Sequence, residues 1–425
     1  MASLPAPLAR LLAWAEKKLG IDMKYTLSGG FFLTLIQVTS AIVGLGLTIA
    51  FANLLPVATY GTYRYVLAAY SLLAIAALPG IDTAVLQAIS QGKEGAWKAG
   101  VRAKLKWGLL GTAASLGFAA YEYAQDSHVL GLIFIVVAIA IPFMESFSLY
   151  SAFLNGKKLF APWAVTEILT QIFSSVVLVA TMFFTKNIVL LMVGYFLPYV
   201  IARIIITIYL TRVYKPNDLL DSHMFSYGRS MTIFQIMSRI ISSADQIVLY
   251  HFLGPAQVAI FSLATAVPNR VQSVFRISGT LAFPKFAQRT PKEIAQTLPK
   301  KMLLFVLGIL VICGVYIVLA PFMFKYIFPK YLPSLVYSQV AIFYTLSAIT
   351  YPFSSYLSAH KKVRDNYIVA LGAFIPKILC LAILVPLIGV WGAIAGLLVT
   401  SFMTITLSAY VIFRDGRENT STGSP

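Results

Sequence analysis

Apolar runs of about 20 residues or more recur along the chain, broken by charges or Pro/Gly turns, and about twelve can be counted. They lie near 26–55, 59–91, 103–124, 128–154, 162–185, 187–212, 225–253, 256–284, 299–325, 332–359, 365–387 and 389–413. A run of that length crosses a hydrocarbon layer as a helix, the one open-ended element that satisfies its own backbone in lipid. The expected fold is therefore all-α and integral to a membrane. Composition agrees, with 59% hydrophobic and 11% charged residues, against about 25% charged in soluble domains. No connection is long enough to form an extramembrane domain, so function must reside in the bundle.

The formal charge of +18 is distributed as membrane topology demands. Lys17, Lys18 and Lys24 precede the first run; Lys93, Lys98, Arg102, Lys104 and Lys106 follow the second. Further clusters are Lys157 and Lys158, Arg212 and Lys215, Lys285 to Lys301, and Lys361 to Arg364, whereas the opposite connections hold only Lys186, Lys325 and Lys330. This alternation follows the positive-inside rule and places both termini in the cytoplasm. It leaves little reason to invoke nucleic acid; membrane lipids are the expected partners of the loop charge. Residues 1–25 do not read as a cleaved signal. Leu8, Leu11, Leu12, Ala15 and Leu19 can share one helical face opposite Arg10, Lys17 and Lys18, as in an interfacial helix. The tail, 414–425, is polar, and its Asn419-Thr420-Ser421 sequon is read as chance in a cytoplasmic segment.

Displacing the chain on itself by about 198 residues pairs Ser28, Gly30, Thr34, Gln37 and Ser40 with Ser226, Gly228, Thr232, Gln235 and Ser238. The match continues, with one inserted residue, from Pro56 through Tyr60, Gly61 and Tyr63 onto Pro255 through Val258, Ala259 and Phe261. The chain thus reads as two six-helix bundles, 26–214 and 225–413, joined by a linker at 215–224. Six is even, so both bundles start on the same side. Their pseudo-twofold axis then runs along the membrane normal, with a central cavity between them.

Seven bases sit inside the apolar runs: Arg64, Arg203, Arg229, Arg239, Arg270, Arg276 and Lys377. Each costs roughly 2.5–3.5 kcal/mol at a bilayer centre before snorkelling relieves it. In the seventh run Gln235, Ser238, Arg239, Ser242, Asp245 and Gln246 share one arc, while the first run carries a neutral stripe of Gly30, Thr34, Gln37, Ser40, Gly44 and Thr48. The eighth adds Asn269, Gln272, Ser273, Arg276 and Thr280, with Arg270 to one side. Two readings compete. In one, the bases form ion pairs, Arg239 with Asp245 and others with Asp82, Glu145 or Glu167. In the other, they line an anion-binding cavity. Four acids cannot neutralise seven bases. Arg64 and Arg203 lie near run ends, where carbonyls or snorkelling can absorb them, but Arg239, Arg270, Arg276 and Lys377 are deep, which favours the cavity. Guanidinium suits a phosphate or diphosphate because its planar fork donates two hydrogen bonds to one phosphoryl group.

Leu55-Pro56-Val57-Ala58-Thr59-Tyr60-Gly61-Thr62-Tyr63, then Pro79-Gly80-Ile81-Asp82, Ser243-Ala244-Asp245-Gln246, Phe252-Leu253-Gly254-Pro255 and Val258 through Ala264 resemble the multidrug/oligosaccharidyl-lipid/polysaccharide exporter superfamily, specifically its polysaccharide (O-antigen type) flippase branch. Leu55 stands where glycine commonly precedes the proline. The resemblance implies alternating access by two bundles around a cationic cavity, moving an undecaprenyl-diphosphate-linked oligosaccharide to the outer leaflet of a bacterial or archaeal cell membrane. On that basis Arg239, Arg270, Arg276 and Lys377, with Arg64 and Arg229, are expected to hold the diphosphate. Asp245, Gln235, Ser242, Asn269, Gln37, Glu145 and Asp82 are expected to supply polar walls or ion coupling. A monomer is expected, working beside polysaccharide polymerase machinery.

Two alternatives stand. Asp245, Glu145 and Asp82 could serve a cation-coupled multidrug exporter of the same superfamily, although the first run has no acid. A glycosyltransferase or polymerase acting on a polyprenyl carrier would need catalytic groups on an outer loop, where Glu122 and Asp126 are the best acids available. No P-loop, dinucleotide fingerprint or nucleophile elbow is present, and His128, His223, His251 and His360 have no metal-ligand spacing. Neither cofactor, metal nor catalytic residue is expected.

Overall fold

The computed structural model describes residues 23–287, 291–359 and 363–421, and side chains except at 23–28, 234, 276–301, 355–359, 363–364, 366–367, 412–413 and 415–421. Nearly all of the expected interfacial segment 1–25, the Arg276 side chain and the last four residues of the polar tail lie outside the described residues, and the last helix runs on through 414–421. Every regular element among the described residues is helical. The first half comprises α1 (Met23–Leu54), α2 (Val57–Leu73) and α3 (Ile81–Ser90), α4 (Gly95–Ala124), α5 (His128–Phe147) and α6 (Tyr150–Gly156), α7 (Phe160–Phe184) and α8 (Ile188–Tyr214). The second comprises α9 (Met224–Leu253), α10 (Pro255–Ala287), α11 (Pro291–Tyr326), α12 (Ser334–Ala341) and α13 (Thr350–Ala359), α14 (Val363–Ile388) and α15 (Val390–Ser421). With α2–α3, α5–α6 and α12–α13 each counted as one broken pass, these make the expected twelve.

Among the described residues, seven passes are long and apolar enough by themselves to cross a membrane: α1, α5–α6, α7, α8, α11, α14 and α15, with bent α2–α3 as an eighth. The remaining passes α4, α9 and α10 carry charged side chains, and α12–α13 is interrupted by a 3-10 stretch, Ile342–Ile349. Large apolar side chains such as Ile139, Phe184, Leu304, Val311 and Ile383 stand exposed. That is the surface a hydrocarbon solvent requires, since lipid leaves no hydrophobic drive to hide it.

Twelve passes bring both ends of the described residues, Met23 and Ser421, to one face, called basal here. At the opposite, far face a single core joins the halves, with Phe51, Tyr60 and Tyr63 packed with Phe324, Tyr331 and Ile342. Asn53 Nδ2 donates to the Ile327 carbonyl at 3.1 Å and Lys330 Nζ donates to that of Asn53 at 2.9 Å. Below this seal α2 crosses α10 so tightly that a Cβ on Gly61 would lie 1.7 Å from the Pro255 carbonyl oxygen. Arg64 Nε then donates to Ser262 Oγ at 3.4 Å, and these positions are 198 residues apart. That is the repeat interval, so related positions of the two halves meet, which places the pseudo-twofold axis at this crossing.

The second pass breaks at Leu78-Pro79-Gly80. Proline offers no amide hydrogen and disfavours helix at the residue before it, and Leu78 adopts the left-handed conformation at φ 54°. The two segments diverge by 55°, which carries α3 onto α9. There the Gly80 amide donates to Thr232 Oγ1 at 3.1 Å, and an added Cβ would meet the Thr232 nitrogen at 2.2 Å. On the basal face the segment between the halves is strapped to the start of α4 by Lys93–Asp221 (2.8 Å) and Lys98–Asp218 (3.0 Å). The hydrogen bond from Lys93 holds the Asp221 carboxyl below the usual carboxylate range.

Candidate binding site between the halves

The neutral stripe of α1 ends in a steric socket. An added Cβ on Gly44 would lie 1.9 Å from Arg270 Nη2 and 2.4 Å from its Cζ, so the guanidinium of α10 rests on bare backbone of α1. Arg64 approaches from α2 and is an electrostatic neighbour of Arg270, as is Tyr60. Among the described residues no carboxylate lies within ion-pair distance of either arginine. Two like charges, one from each half, thus converge in a half-buried space between α1, α2 and α10 without a counter-ion. The rest of the stripe turns elsewhere. Ser40 Oγ donates to Gln171 Oε1 at 2.8 Å within its own half, which corrects the expectation of a stripe facing wholly into the cleft; Thr34 and Thr48 donate back to Gly30 and Gly44. Gln37 is half-buried on the same helix.

Nearer the basal face, a charge chain links the halves. Lys104 Nζ donates to Asp82 Oδ1 at 2.6 Å and lies 3.7 Å from Glu145 Oε2, which accepts from Arg239 Nη2 of α9 at 3.2 Å. The Tyr70 hydroxyl donates to Glu145 Oε1 at 2.9 Å, and Arg239 Nη1 reaches the Ser71 carbonyl at 3.4 Å. Two corrections follow. Lys104 is no loop residue: α4 begins at Gly95, eight residues before the expected boundary, and Lys104 is fully buried. Its neighbours on that face, Gly100, Gly108, Gly111 and Ser115, are also buried, and their spacing of three or four residues was the legible sign of a packed face. Arg239, moreover, pairs with Glu145 across the halves rather than with Asp245.

Asp245 instead accepts from Lys377 Nζ at 2.7 Å, and that ammonium also donates to the Ile241 carbonyl at 2.6 Å. Both side chains are buried, so Lys377 presents no free charge and departs from its expected place among the unneutralised bases. Arg203 is absorbed by a carbonyl, donating from Nη1 to Met144 at 2.7 Å. Arg229 is exposed at the basal end of α9, away from the Arg64–Arg270 pair. Ser238, Ser242 and Asn269 are exposed and Gln235 half-buried beside Arg239 and Arg270 along α9 and α10. Glu122 and Asp126 stand at the far end of α4.

The profile of the polysaccharide biosynthesis protein family matches residues 26–290, well over half of the chain. No curated protein matches it. Among solved structures, an outward-facing multidrug resistance MATE family transporter of the MOP superfamily is 13% identical, covering 94% of this chain and 96% of its own, with a TM-score of 0.65. The lipid II flippase MurJ, in an inward closed conformation, is 13% identical over 89% and 87%, with a TM-score of 0.63. A MOP superfamily transporter from Pyrococcus furiosus, whose binding pocket has reverse polarity, is 14% identical over 92% and 96%, with a TM-score of 0.60. At such identities the likeness establishes the all-α transporter fold.

Proposed function

The chain belongs to the polysaccharide biosynthesis protein family, and from that premise we propose that it is a flippase carrying a polyprenyl-diphosphate-linked oligosaccharide from the inner to the outer leaflet. The halves, 26–214 and 225–413, rock about the crossing of α2 and α10, and the basal face is cytoplasmic. The protein acts as a transporter rather than an enzyme, in a bacterial or archaeal cell membrane, delivering glycan to the machinery that polymerises it.

The observation that carries this reading is the pair Arg64 and Arg270, one from each half and unneutralised among the described residues, with Arg270 resting on Gly44. Uncompensated charge in a low-dielectric site calls for an opposite charge, and two guanidinium forks suit the adjacent phosphoryl groups of a diphosphate. Arg276, six residues further along α10, is assigned to the same headgroup as a further base. Arg239 joins when its bond to Glu145 opens, and Lys377 remains a structural partner of Asp245. The multidrug-exporter alternative needs free acids for a cationic cargo, whereas Asp82, Glu145 and Asp245 each have a base.

The test is Arg64→Gln and Arg270→Gln, singly, in the full chain reconstituted in vesicles. Removing a repelling, unpaired charge should leave abundance and melting temperature unchanged or higher, while transport of lipid-linked glycan falls at least about tenfold, the equivalent of one lost charge-assisted contact. Variants that insert poorly yet transport normally per inserted molecule would overturn the assignment.

A further inference from the structure

A cavity of about 320 Å³ lies in the basal part of the first half, between α3, α6, α7 and α8. Its lining includes Asp82, Tyr150, Ser151, Asn155, Glu167 and Arg203. The Tyr150 hydroxyl is buried and has no hydrogen-bond partner; Glu167 and Thr170 lie beside it outside bonding geometry. Arg203 Nε is likewise buried without a partner, its Nη1 being held by the Met144 carbonyl. Ser151 Oγ accepts from the Trp163 indole at 2.7 Å, which leaves the serine hydroxyl proton to be donated. Buried polar atoms are rarely left unpaired without a ligand, water or ion to meet them.

The chemistry of the lining narrows the ligand. Asp82 and Glu167 repel an anion such as phosphate, and Arg203 repels a cation. No group of three His, Cys, Asp or Glu residues among the described residues could hold a metal ion. An acyl or prenyl chain has a better place in a separate apolar groove lined by Ile139, Phe143, Leu197 and Val200. What remains is an uncharged molecule dense in hydroxyl groups, able to donate to carboxylates and accept from an arginine, an amide and phenolic or alcoholic hydroxyls. The volume lies near the lower end of the ~300–1,000 Å³ of small-molecule pockets, which suits a sugar ring or a disaccharide. Through Asp82 the cavity adjoins the Lys104–Glu145–Arg239 chain at the seam between the halves.

We propose that this cavity is a sugar subsite, in which Glu167, Asn155, Tyr150 and Arg203 bind the hydroxyl groups of the glycan nearest the carrier and set its specificity. The proposal rests on the flippase reading above and assigns its glycan to the first half alone.

Two probes separate the two ideas: the intact lipid-linked glycan extracted from cells depleted of the protein, and sugar-free polyprenyl diphosphate. Both are titrated against the full chain in lipid nanodiscs. The wild type should bind both, the intact molecule at least about tenfold more tightly. Glu167→Gln and Tyr150→Phe should shrink that advantage to about threefold or less and leave sugar-free binding unchanged. Tyr150→Phe is the sharper of the two, because deleting an unpartnered hydroxyl should not lower the melting temperature. A preserved advantage in both variants, or an equal loss for both probes, overturns the sugar subsite while the flippase reading stands. Failure of the wild type to bind sugar-free polyprenyl diphosphate overturns the flippase reading, and the subsite with it.

Discussion

A methyl group added at Gly44 should cost binding without costing the fold, whereas the same group at Gly61 should do the reverse. At Gly44 the added carbon would lie 1.9 Å from Arg270 Nη2 and 2.4 Å from Cζ. Those atoms end a flexible side chain, so the guanidinium swings aside and the helices keep their spacing. What is lost is the position of one fork. At about 1.5–3 kcal/mol for a hydrogen bond to a charged group, affinity for polyprenyl diphosphate should fall roughly 10- to 150-fold. At Gly61 the obstructing atoms are the carbonyl oxygen and carbon of Pro255, 1.7 Å and 2.5 Å away. Backbone cannot rotate out of the way, so α2 and α10 must separate, an overpacking cost of about 1–3 kcal/mol or more. The assay is a titration of each alanine variant in nanodiscs with a parallel thermal melt. Unchanged affinity in Gly44→Ala, or a melting temperature lowered as far as in Gly61→Ala, would refute the placement of Arg270 on α1.

Lys104→Met should be among the most damaging changes in the first half. It leaves the buried Glu145 and the half-buried Asp82 with their shared base gone, a loss of up to about 3–5 kcal/mol, read as reduced abundance and early thermal unfolding; Asp82→Asn in the same chain should recover part of it. The strap between the halves should resist mild acid. Asp221 has a depressed folded-state pKa, so the docking it provides is complete above its unfolded value of about 3.9 and is lost only as pH falls through the lower folded value. Hydrogen exchange of residues 215–223 should therefore be protected equally at pH 5 and pH 8, and equal protection at pH 2 would contradict the assignment.

Pass number was legible because apolar length is set by the bilayer itself, whose thickness imposes the same rule on every helix. Partner choice among the buried charges was not. Spacing along α9 sets Arg239 and Asp245 on one arc, but which acid a guanidinium meets depends on the crossing of a different helix, and here α5 supplies Glu145. Lys104 misled for a related reason. A lysine just after a loop has the composition of a topology signal, and only the small residues sharing its face reveal a packed environment. Of the deep bases, Arg270 alone among those with described side chains keeps the expected freedom from acids.

The meeting of Arg64 with Ser262, its counterpart one repeat later, bears on how a heavy headgroup can cross a membrane. A seesaw moves least at its fulcrum. On the flippase reading proposed above, cargo tethered beside that point would travel little itself, because the walls sweep past it and the direction of the doorway changes.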